Sequence, residues 1–171
     1  MIFEDEASFR QDSTLHRTWS RVGCQPIVPV TGKRESVKVF GCVDLHSAEF
    51  DFMIDDVFNH KTYTVFLETT VSKFFEKNRR IHYIQDGASY HRDGEVWYWF
   101  RENRKWIEVY NLPAYSPEFN AVETLWKFTR KEATHNASFR SKSEILDCVT
   151  DMSKRIQHDP SWITGYLRPF I

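Results

Sequence analysis

Asn111-Leu-Pro-Ala-Tyr-Ser-Pro-Glu-Phe-Asn120-Ala-Val-Glu123-Thr-Leu-Trp126 carries the strongest local signals in this chain. The apolar run at 106–110 predicts a short strand, two prolines punctuate the loop after it, and a helix starts near Asn120. Val122, Leu125, Trp126 and Thr129 stand at i, i+3, i+4 and i+7, one helical face that can bury. Glu123 lies in the first turn and points off that face. Two readings are open for it. Asn120 and Glu123 have the spacing of a capping pair, with Glu123 at N3 reaching back to the Asn120 N–H. The alternative is a carboxylate turned outward, toward something it serves.

The chain opens with Ile2-Phe-Glu-Asp-Glu-Ala-Ser-Phe9, which predicts a strand. With a period of two, Phe3, Asp5, Ala7 and Phe9 share one face, and Glu4, Glu6 and Ser8 share the other. An acid between phenylalanines on an apolar face is costly unless it is paired, metal-bound or at the rim of the sheet. That singles out Asp5 over its two acidic neighbours. Residues 36–43 and 49–54 read as two further strands joined by a polar turn. Asn59 is the expected N-cap of a helix over 60–78, with Tyr63, Phe66, Leu67, Val71, Phe74 and Phe75 on its inner face and Arg79 and Arg80 closing it. A strand at 81–85 ends at Asp86-Gly87. A helix at 92–104, the strand at 106–110, the helix after Asn120 and one at 141–157 with Ser141 as N-cap complete the order.

This order predicts an α/β domain in which a β-meander feeds βαβ crossovers. If the first and fourth strands are neighbours, Asp5 and Asp86 lie about 5 Å apart, one inter-strand spacing. Carboxylates crowded at the carboxyl ends of strands repel, and one is forced neutral unless a cation holds them. A few hard oxygen ligands with no Cys or His companions suit Mg²⁺ or Mn²⁺. Two such ions, about 3.5–4 Å apart, can activate the attacking oxygen and stabilise the leaving oxygen of a phosphodiester.

Composition bounds the rest. A chain of 171 residues with 16 % aromatics predicts one folded domain with a sizeable core. No apolar run approaches membrane-spanning length and no basic-then-apolar leader opens the chain, so neither a span nor a secretory signal is expected. Cys24, Cys42 and Cys148 are odd in number and lack metal-ligand spacing, and read as reduced, buried thiols of a cytoplasmic protein. The net charge of −1 is unevenly spread, with seventeen of the 23 basic residues after position 60. A bulk nucleic-acid binder is usually more basic, so Lys73, Arg101, Arg104 and their like read first as solvated helix faces. No G-x-S-x-G elbow, P-loop or G-x-G-x-x-G occurs, which argues against a serine hydrolase and against those routes of nucleotide binding. Trp97, Trp99 and Trp106 could stack on bases, but an aromatic core is the default.

Taken together, Phe3-Glu-Asp-Glu, Ile84-Gln-Asp-Gly-Ala-Ser-Tyr-His91 and the stretch Leu112 to Trp126 resemble the three signature blocks of DDE transposases, in particular the bacterial insertion-sequence group of the mariner superfamily. The 36 residues between Asp86 and Glu123 are close to that group's separation, and Trp19 to Pro26 and Pro29 to Glu35 look like its connecting block. The resemblance covers residues 1 to about 132. It implies an RNase H-like fold, a mixed five-stranded sheet with helices on both faces, and metal-dependent cleavage and joining of DNA strands at element ends. Asp5, Asp86 and Glu123 would be the catalytic acids and the ligands of two Mg²⁺ or Mn²⁺ ions, with His91 and Asn120 supporting them from behind. The implied partners are double-stranded DNA, both element ends and target, and a second copy in an active homodimer at the nucleoid. No membrane is implied. Gly87 departs from the family's usual Asn, and Ala114 and Ala121 from its usual prolines. The chain begins almost at the first catalytic strand, so residues 1–171 are expected to form the catalytic domain without the family's upstream DNA-binding helices. An inactive remnant that only binds DNA or protein, and a structure-specific nuclease of the same fold, are the competing readings.

Overall fold

Strand β1 (Ile2–Arg10) runs through the middle of a five-stranded sheet. The computed structural model describes residues 1–12, 14–77 and 80–171. On one side β1 pairs antiparallel with β2 (Ser36–Asp44), and β2 pairs antiparallel with β3 (Phe50–Asp55). On the other side β1 runs parallel to β4 (Ile81–Gln85), and β4 parallel to β5 (Ile107–Asn111). The order is β3-β2-β1-β4-β5. Parallel neighbours need a crossover, and helices α1 (His60–Thr69) and α2 (Gly94–Glu102) supply the two that are required.

Both faces of the sheet are covered, as expected. On one, Tyr63, Phe66 and Leu67 of α1 and Val96, Trp99 and Phe100 of α2 pack with Ile2, Phe40, Cys42 and Tyr83. On the other lie α3 (Ala121–Thr129), α4 (Lys142–His158) and α5 (Ser161–Leu167), whose Leu125, Trp126, Ile145, Val149 and Ile163 pack with Phe3, Ala7, Phe9 and Val39. The alternation along β1 thus sends Phe3 and Ala7 to one core and Ile2 to the other. Gly41 of β2 lies beneath Trp126: a Cβ there would stand 2.6 Å from the indole ring. Glycine is what lets the helix sit this close to the sheet.

The helix predicted over 60–78 is capped by Asn59, in a reciprocal box with Thr62, but ends at Thr69. Thr69, Thr70 and Val71 are β-branched in sequence, and the Thr69 and Ser72 hydroxyls donate to the carbonyls of Val65 and Glu68 four residues back, which weakens a helix. The chain continues as a 3₁₀ segment, Val71–Lys77, and Arg79 lies outside the described residues. The helix predicted over 92–104 is a 3₁₀ turn, Ser89–Arg92, followed by α2, whose first turn is capped by the Asp93 carboxylate. Of the three cysteines, Cys42 is buried, Cys148 half-buried and Cys24 exposed, so Cys24 does not fit the expectation of a buried thiol. Among the described residues, no helix is long and apolar enough to cross a membrane.

Candidate active site

The parallel pairing of β1 and β4 sets Phe3 opposite Ile84. Two residues further along each strand stand Asp5 and Asp86, side by side where β4 ends. One carboxylate oxygen each from Asp5, Asp86 and Glu6 lies within 4.8 Å of the other two. Glu123, on the first turn of α3, faces the same cleft of about 480 Å³, together with Asn120 and Arg92. A larger groove, of about 610 Å³, lies elsewhere, between α2 and β5, but holds no such group of acids.

The two readings of Glu123 separate here. The Asn120 carboxamide oxygen caps α3 by accepting from the Val122 N–H at 3.1 Å. The Asn120 N–H, which a capping glutamate would engage, instead donates to the Pro117 carbonyl at 3.0 Å. Glu123 is therefore not a cap. Its carboxylate joins the cleft, where it is one of the charges that act on Asp5. Asn120 also donates through Nδ2 to the Glu4 carbonyl of β1 at 2.8 Å, tying the start of α3 to the strand that carries Asp5.

Burial, followed by the charges of Glu6, Glu123 and Asp86, pushes the Asp5 carboxyl up to about 8. One of its oxygens, Oδ2, is buried without a hydrogen-bond partner among the described residues. An orphaned oxygen among other carboxylates fits a divalent cation with hard oxygen ligands. Burial acts on Asp86 in the same sense, but hydrogen bonds from His91 and the Ala88 N–H outweigh it and hold Asp86 below the usual carboxylate range. His91 is fully buried, with Nδ1 3.1 Å from Asp86 Oδ1 and Nε2 2.9 Å from Glu6 Oε1. Burial opposes its charge, yet these two acceptors push it up to about 11, so both ring nitrogens carry a proton at neutral pH. Tyr90 donates its hydroxyl to the same Glu6 oxygen at 2.6 Å.

Glu4 and Glu6 were passed over on sequence grounds, and here the structure differs. Glu4 is completely buried, more so than Asp5, and neither of its oxygens has a partner among the described residues. Burial first, then the charge of Glu6, raises it well above the usual range. Glu6 anchors the Tyr90–His91 pair and lies within reach of Asp5 and Asp86. Lys73, by contrast, is tied to the buried Asp51 at 2.5 Å, away from the acids of the cleft.

The family model for DDE superfamily endonucleases matches residues 1–146. The chain belongs to this family. An insertion element IS630 uncharacterized 39 kDa protein from Shigella sonnei is 24% identical over 162 residues, covering 94% of this chain and 46% of that protein. Among solved structures, the Mos1 transposase paired-end complex with left transposon end superposes with a TM-score of 0.75 at 13% identity, over 99% of this chain and 51% of that one. The Mos1 mariner paired end complex with Mn gives 0.69 at 14% identity, over 99% and 52%. The chain thus spans about half the length of the proteins it matches, and its fold is the RNase H-like fold of the Mos1 catalytic domain. Against the expected pattern of this DDE family, Gly87 leaves room that the Arg92 guanidinium fills: a Cβ at Gly87 would stand 3.1 Å from Arg92 Nη2.

Proposed function

We propose that this chain is the catalytic core of a DNA transposase, cleaving and joining strands at element ends with two divalent ions held by Asp5, Asp86 and Glu123. The observation that carries the reading is the parallel β1–β4 register, which sets Asp5 beside Asp86, with a buried Asp5 oxygen that has no partner among the described residues. Complexes of Mos1 with Mn and with Mg support divalent-metal use. When bound, the ions supply activation of the attacking oxygen and charge neutralisation at the leaving one. The chain's own groups do the rest. His91 fixes the rotamer of Asp86 and keeps it ionised, Asn120 fixes the start of α3 against β1, and Arg92 offers a cation at the cleft wall for a phosphodiester oxygen. In the proposed complex two copies act on double-stranded DNA in the cytoplasm, engaging element ends and target.

Incubation with a supercoiled plasmid and Mn²⁺ tests this. Nicks that appear with Mn²⁺, vanish with EDTA and are lost in Asp86→Asn support the reading. Strand-joined products distinguish a transposase from a nuclease that only hydrolyses. A metal-independent fold with no nicking would mark a remnant that merely binds.

A further inference from the structure

We propose that the groove between α2 and the edge strand β5 is a second nucleic-acid site, which holds a single DNA strand leaving the catalytic cleft. Arg80, Arg101 and Arg104 would take its phosphates, and Trp97 and Tyr98 an unstacked base. The inference rests on the reading of the cleft as a DNA-cleaving site.

Helix α2 buries Val96, Trp99 and Phe100, and a globular helix of that kind normally turns polar residues outward. Here its outer face presents Trp97, 42% exposed, and Tyr98, 58% exposed. Adjacent exposed aromatics rimmed by charge form the kind of contiguous surface that interaction sites use. The Arg101 guanidinium stands 5.0 Å from the centre of the Tyr98 ring, so a cation and a π-face are already stacked. Arg80, Arg101 and Arg104 line the groove of about 610 Å³ with Glu108 as the one acid among the described lining residues. Arg80 pairs with Glu108 at 3.4 Å and Arg101 with Glu102 at 3.7 Å, but both pairs are open to solvent, where they are weak and readily exchanged for phosphate. Arg104 has no acid at ion-pair distance among the described residues.

Position argues for DNA over an acidic peptide. Arg92 lines the catalytic cleft and Gly94, two residues on, lines the groove. The groove thus opens beside the cleft at Gly94 and runs along α2 to Arg101 and Arg104 at its far end, with Arg80 just before β4, so a strand leaving Asp5 and Asp86 would follow it to reach those arginines. Flat aromatic faces beside arginines suit bases, whereas a peptide of carboxylates would use only the charge.

The test compares a fluorescein-labelled blunt duplex with the same duplex carrying a single-stranded thymidine tail, by anisotropy on the full chain with Ca²⁺. The tail is expected to tighten binding about tenfold. Replacing Arg101 and Arg104 by Ala should remove that gain and flatten the salt dependence of tailed-DNA binding by about one log unit per log unit. Trp97→Ala should remove most of the gain while leaving the slope. A tail without effect on wild type, or a gain that survives the double substitution, overturns the proposal. So does displacement of the tail by polyglutamate with no dependence on Trp97, which would assign the groove to an acidic protein surface. Tm with and without Mn²⁺ is measured in parallel, a rise being expected if Asp5, Asp86 and Glu123 bind the ion. A rise that persists while the tail has no effect sinks the groove alone, whereas a wild type without the rise sinks the reading of the acids.

Discussion

At Glu123 the decision between helix cap and cleft carboxylate falls to one backbone N–H, which Asn120 gives to Pro117. Glu123→Gln is accordingly expected to fold with at most a few tenths of a kcal/mol lost to the helix dipole. Its DNA nicking should slow at least ~100-fold; wild-type nicking rates in the folded variant would remove Glu123 from the site. His91 acts through Asp86. His91→Gln should weaken Mn²⁺ binding, measured by calorimetry, by about 10–100-fold, and unchanged affinity would reduce His91 to a packing residue. Asp5 gives a pH dependence of definite sign. Its carboxyl is raised to about 8 in the fold, so the stability it contributes is full below its unfolded value of about 4 and is lost as pH rises through 8. With EDTA, Tm is expected to fall across that window, and Mn²⁺, which takes the proton's place, should flatten the curve. A metal-free Tm that rises from pH 5 to 8 would contradict this. Asp86 and Glu123 were singled out because a strand end and a helix start mark them, and mid-strand Asp5 because it lies between phenylalanines on an apolar face. Glu4 and Glu6 were not, because a period of two gives two faces without saying which is wet, and in a sheet covered on both sides neither is.

Among the elements, β2 and α3 depend on each other through Gly41 and Trp126. Gly41→Ala is expected to cost about 1–3 kcal/mol by urea denaturation, since Trp126 is 1% exposed and has little room to yield. A neutral effect would mean that α3 slides freely on the sheet. The periodicity that predicted α3 and α4 is strong, and both stand where expected, with Ser141 capping α4 through the Glu144 N–H. Helix α5 went unread because its seven residues, starting just after Pro160, are too few to show a period, and packing of Ile163 and Leu167 is what holds it. The early end of α1 was visible in composition but not in periodicity, since Phe74 still reaches the same core from the 3₁₀ turn.

For the molecule as a whole, the strand order was legible only as a condition, that β1 and β4 be neighbours, and the sheet meets it. The long segment between β1 and β2 showed no strand or helix period, only the resemblance of 19–26 and 29–35 to the family's connecting block. It is held at its ends: Asp12 accepts from the Thr31 N–H and hydroxyl and the Gly32 N–H, and His16 meets Asn136. Trp19 between them is fully exposed.

The central place of β1 has a consequence for synthesis. The meander β1–β2–β3 leaves the ribosome before β4 exists, and until then one edge of β1 is open, an invitation to pair with the same edge of another nascent chain. That edge carries Glu4, Asp5 and Glu6 in succession, and three adjacent carboxylates, solvated and ionised before burial, act as gatekeepers against such pairing. Neutralising Glu4 and Glu6 together as Gln is thus expected to lower refolding yield, and more at high protein concentration than at low. A loss independent of concentration would confine their effect to the single chain. The acids that the finished sheet hides at some cost are, in the unfinished one, what keeps neighbouring chains apart.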